Sequence, residues 1–178
     1  IYQHSRFGAP DRRHGYCTDD TARALSLMAR LASEGVMEAP ALKLANSYAA
    51  FLNHAWSPET GRFRNFMSFD RRWLDEGGSD DCCARALAAL CRVARHWPQA
   101  DLRDWASDLA REVIQHVHVW TSMRSRALAI KALVAAFRRL DFTVLALVPT
   151  ALALTWTAGV LAISRVSLDL FSMFAVMT

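Results

Sequence analysis

An all-α fold, an array of helical hairpins, is what this sequence predicts, on three observations. An Arg-Ala-Leu core recurs three times, each time followed by an Ala/Leu-rich run: TDDTARALSLMARL from Thr18, SDDCCARALAALCRVA from Ser79 and SMRSRALAIKALVAAF from Ser122. Two further amphipathic stretches separate these runs, over residues 40–56 and 99–120. No segment carries a convincing strand nucleus. Units of roughly 40–60 residues per helix pair have the period of a hairpin array, whose members cannot bury their apolar face alone.

The first A run predicts a helix of about four turns with Leu25, Met28 and Leu31 on one face. The first B run, PALKLANSYAAFLNHAW, is amphipathic from Pro40 to Trp56. RFRNFMSFDRRW is expected to form a short hairpin or an extended loop. The second A run repeats the face with Leu87, Leu90 and Val93. In the second B run Leu102, Trp105, Leu109, Val113 and Val117 recur at near four-residue steps, predicting a helix over 99–120. The third A run closes the pattern. The A runs are small and apolar, as an inner layer covered on both sides requires. The B runs carry Lys43, Asn46, Arg103, Asp104, Asp108 and Arg111, as an outer layer in water requires. The expected architecture is a partial (α/α) toroid of about three inner and two outer helices, since a closed ring of six hairpins needs about twice this length.

Residues 1–140 form the expected partial toroid, and 141–178 an apolar helical tail. From 142 to 164 no side chain is charged. About 20 apolar residues suffice to cross a bilayer, and Arg138 and Arg139 suit a cytoplasmic flank. Three readings stay open for this run: a membrane anchor, a pair of core helices broken at Pro149 and Gly159, or a frameshifted or truncated end.

With 53% hydrophobic and 21% charged residues the chain is neither disordered nor of low complexity. Its 21 Lys+Arg face 17 Asp+Glu without forming a basic block, so nucleic acid is not an expected partner. Cys17, Cys82, Cys83 and Cys91 have no CxxC spacing, and neither a metal nor another cofactor is expected. No signal-peptide pattern opens the sequence. Reduced thiols and a cytoplasmic location follow as the expectation, with membrane anchoring through 142–164 as the alternative.

Two A helices open on a hydroxyl and two acids, Thr18-Asp19-Asp20 and Ser79-Asp80-Asp81. Thr18 and Ser79 suit N-caps, and first-turn acids complement the helix dipole. Asp19 with Arg23, and Asp81 with Arg85, have helix ion-pair spacing. The loops before these helices add Arg13, His14 and Tyr16 on one side and Asn65, Asp70 and Trp73 on the other. In a toroid both loops would meet at one end of the central cavity. Carboxylates beside aromatic faces and Arg, His or Asn donors suit sugars, and glycoside cleavage needs two carboxyl groups in opposed roles.

HGYCTDDTARAL, followed by FRNFMSFDRRWLDEGGSDDCCARALAAL, resembles the α/α-toroid (six-hairpin glycosidase-like) domain of bacterial carbohydrate-active proteins. The resemblance covers about residues 2–137 and implies a sugar-processing or sugar-binding domain, often associated with group-1 glycosyltransferases. It implies catalytic roles for Asp19, Asp20, Asp80 and Asp81, and substrate binding by Arg13, His14, Tyr16, Asn65, Asp70 and Trp73. Thr21, Asp80, Cys82, Cys83, Ala84 and Ala88 depart from the family pattern. The expected function is therefore glycoside hydrolysis or glycan processing, with a noncatalytic glycan-binding or glycosyltransferase-accessory module, or an inactive fragment, as the alternative.

Overall fold

The computed structural model describes residues 4–36 and 39–136, and these are mostly helical. In chain order they form strands β1 (Ser5–Arg6), β2 (Ala9–Pro10) and β3 (Tyr16–Cys17), then helices α1 (Thr18–Ser33) and α2 (Ala39–Ala55). Strands β4 (Trp56–Ser57), β5 (Arg62–Phe63) and β6 (Phe66–Met67) follow, and then helices α3 (Asp80–His96), α4 (Ala100–Ile114) and α5 (Met123–Ala136). All five helices fall where the two sequence patterns place them. The apolar run at 142–164, with its three readings, lies outside the described residues. Among those residues no helix is long and apolar enough to cross a membrane.

Helix α3 is the centre of the assembly. It packs on α1 to one side and α5 to the other, with α4 against it and α2 against α1. Ala84, Ala86, Ala89, Cys82, Cys83 and Leu87 along α3 are all buried, and small side chains let three helices approach one axis closely. Leu25 of α1, Leu52 of α2, Val113 of α4 and Ala129 of α5 fill the core around it. Trp97 and Trp120 are buried in the same core. Among the described residues α3 packs on α1, α4 and α5, whereas α5 exposes Met123 and Ile130, at 75% and 61%.

Two two-stranded pairings fasten the loops to the helix ends, and β1 pairs with β2 in a local hairpin of its own. β3 pairs antiparallel with β6, placing Cys17 opposite Phe66, and β4 pairs with β5. The expected hairpin is thus replaced by two separate pairings: the 62–67 stretch splits between β4 and β3. Gly15 makes the first of these feasible. Its φ is +64°, and a Cβ there would lie 2.1 Å from the Met67 carbonyl oxygen.

Two element ends differ from expectation. Helix α4 stops at Ile114 instead of running to 120, and a 3₁₀ turn spans Val117–Val119. Trp120 must reach the core and Thr121 must reach Asp80, so the chain turns inward before a straight helix would allow. Thr18 is not the N-cap of α1. Cys17 holds that position without a side-chain cap, and the Thr18 hydroxyl donates to the Arg64 carbonyl at 2.6 Å. Ser79 does cap α3, accepting from the Cys82 amide at 3.2 Å.

Candidate functional site

Helices α1, α3 and α5 begin near one another, and the first turns of α1 and α3 meet through Arg85. Its Nε lies 2.7 Å from Asp81 Oδ2 and 3.0 Å from Asp19 Oδ1, tying α3 to α1. Arg23 reaches Asp19 Oδ2 at 3.1 Å and Asp20 Oδ1 at 3.3 Å. Arg124 of α5 stands 3.8 Å from Asp81 Oδ1. The result is a row of alternating charge, Asp20–Arg23–Asp19–Arg85–Asp81–Arg124, across three helix starts. Its three carboxylates match its three guanidinium groups.

Asp19 is the strained member. The single Nε hydrogen of Arg85 points at Asp81, so Asp19 Oδ1 has a charge beside it but no hydrogen bond, and it is buried. Burial pushes the Asp19 carboxyl above its ordinary pKa; Arg85 and Arg23 oppose this, while Asp20 and Asp81 add to it. Asp81 Oδ1 is likewise buried without a hydrogen bond among the described residues.

Asp80 belongs to a different network. It accepts from Arg62 Nη2 at 2.5 Å and from the backbone amides of Thr121 and Ser122 at 2.7 and 2.9 Å. Burial works against ionisation, but Arg62 and these two amides outweigh it and hold Asp80 at about 2. Of the four acids grouped by the sequence pattern, the row at Arg85 unites three, and Asp80 instead staples the start of α5 to β5.

The expected sugar-contacting residues are also divided. Asn65 Oδ1 accepts from the Asp19 amide at 3.2 Å and from the Cys17 thiol at 3.5 Å, so this side chain caps α1 from another loop. Arg13 is 83% exposed and bound to Asp11 at 2.6 Å, with His14 3.8 Å from the same carboxylate. Asp70 closes its own turn through Ser68 and Arg72. Tyr16 and Trp73 join an aromatic row. Phe69 stacks on Tyr16 at 6.3 Å, Tyr16 meets Phe51 at 6.2 Å, and Phe51 meets Trp73 at 5.7 Å. His54 lies 5.3 Å from the Trp73 ring, Arg64 packs over it at 5.8 Å, and the buried Trp73 Nε1 has no hydrogen-bond partner among the described residues.

Phe51, Arg85 and Arg124 were not singled out as site residues from the sequence. The repeat held a signal for one of them. Arg23, Arg85 and Arg126 occupy the same place in the Arg-Ala-Leu core, and two of these three guanidiniums bind first-turn acids. Arg126 instead donates to the Trp120 carbonyl at 2.6 Å. Cys82 and Cys83 are buried, and burial drives both thiols upward, which suits packing and not nucleophilic chemistry. Among the described residues no group of three or more His, Cys, Asp or Glu side chains is placed to hold a metal ion.

No family model, curated protein or solved structure matches this chain.

Proposed function

We propose that this chain is part of a carbohydrate-active α/α toroid, and that the rim where α1, α3 and α5 begin binds a glycan. One observation carries the reading. The charged row and the aromatic row adjoin, because Tyr16 lies three residues before Asp19, and the Asp19 amide is capped by Asn65 of the loop that carries Phe69 and Trp73. Sugar hydroxyls both donate and accept, so carboxylates alternating with guanidiniums can serve them, and aromatic faces can stack on the ring's apolar side. The resemblance of the 14–25 and 63–90 stretches to six-hairpin glycosidase-like domains supports the same substrate class. It also makes a glycosyltransferase domain the natural neighbour.

Binding is favoured over turnover, because Asp19, Asp20 and Asp81 each hold a guanidinium and none is left as a free base or nucleophile. Hydrolysis has one observation in its favour. A carboxyl raised by burial is what a general acid requires, and Asp19 is such a group beside the second carboxylate of Asp81. Asp19 Oδ1 and Asp81 Oδ2 share one nitrogen at 3.0 and 2.7 Å, so their separation falls below the roughly 6.5 Å of an inverting pair.

Calorimetric titration of an oligosaccharide panel, with product analysis, tests both readings. Saturable binding without product supports the module. Product that disappears in Asp19→Asn with unchanged helical circular dichroism supports the hydrolase. Absence of both rejects the carbohydrate reading.

A further inference from the structure

A second charged feature lies between α3 and α5, two helical turns beyond Arg85 and outside the row just described. A cavity of about 160 Å³ opens there, walled by Arg92, Arg95, His96 and Lys131 over a floor that includes Cys91 and Leu128. No acidic residue among the described residues lines it. Arg92 and Lys131 enter no ion pair among the described residues, while Arg95 donates to the Ala135 carbonyl and bridges the two helices. Cations in a last helical turn complement the dipole, and this accounts for Arg95 and His96 at the end of α3. It does not account for Arg92 and Lys131, which face one cavity from two different helices. A helix end offers roughly half a negative charge. Three full positive charges outweigh it.

We infer that this cavity binds a phosphate-sized dianion, a phosphate monoester or free phosphate, through Arg92, Arg95 and Lys131. Its volume is several times the ~30 Å³ share of a liquid water molecule, enough for such a group with its remaining hydration. Guanidinium pairs match the spacing of phosphate oxygens, and lysine adds a point charge.

The test is calorimetric titration of the whole chain with inorganic phosphate and, separately, with a sugar monophosphate, against chloride at matched ionic strength. Saturable phosphate binding, unaffected by matched chloride and at least tenfold weaker in the Arg92→Gln/Lys131→Gln double variant, is expected. Tighter binding of one titrant identifies the source of the anion. Should the double variant lose its helical circular dichroism, Lys131→Gln alone decides, with at least a threefold loss expected from this exposed position. Phosphate binding that matched chloride abolishes, that the variants leave unchanged, or that never saturates overturns the inference.

Discussion

Arg85 holds two carboxylates from two helices on one nitrogen, so its removal leaves like charges facing each other in a partly buried place. Arg85→Gln is expected to cost about 2–4 kcal/mol, somewhat under the about 3–5 kcal/mol of a fully buried pair because these side chains keep partial exposure, read as a lower midpoint in urea unfolding. Asp19→Asn removes a charge that burial disfavours, so it should cost less than Arg85→Gln in the same measurement. Asp80 sets an acid limit. Its folded pKa of about 2 lies below the ordinary 3.8, so the folded state binds this proton more weakly than the unfolded chain does. Its contribution is complete above pH ~4 and fades as pH falls toward ~2. Wild type should therefore lose more stability than Asp80→Asn across that window, while Asp80→Asn is the weaker protein at pH 7. Denaturant titrations at pH 7, 4 and 2.5 check both. None of these partners was legible in the sequence beyond the i,i+4 pairs. Asp80 and Asp81 are neighbours in the chain, yet one serves β5 and α5 while the other serves the row at Arg85.

At the scale of elements, helix periodicity was legible because it is local. The capping of α3 by Ser79 could be read from its own first turn, and Ser79→Ala should lower stability by about 1 kcal/mol. The cap of α1 could not, because Asn65 arrives from 46 residues away. The same holds for β3 and β6, two-residue strands whose register depends on Gly15. Gly15→Ala would combine a left-handed backbone with a Cβ driven into the Met67 carbonyl. It should separate β3 from β6 and loosen the Tyr16–Phe69 stack. Faster amide hydrogen exchange at residues 16–17 and 66–67, with the α3 core still protected, is the expected result.

For the whole molecule, the alternation of A and B runs was enough to place the helices, and it left open how far the inner layer is covered. Ile130 and Met123 of α5 are exposed, whereas α3 is packed against α1, α4 and α5. An array depends on its middle unit. Leu87→Ala, in the buried centre of α3, should therefore cost about 2–5 kcal/mol and lower the single unfolding transition of the helices as one unit. That the first-turn acids of α1 and α3 meet was legible only as an expected convergence of loops; the pairing of Arg85 with acids of two helices depends on how α1 and α3 dock. The most direct measurement is calorimetric titration of oligosaccharides into the full chain and its Asp20→Asn variant, the acid held by a single ion pair at 3.3 Å. Saturable binding in the wild type, weakened at least tenfold in a variant of unchanged helical content, is the predicted result. Equal binding by both chains, or none by either, contradicts a glycan site at the start of the inner helices.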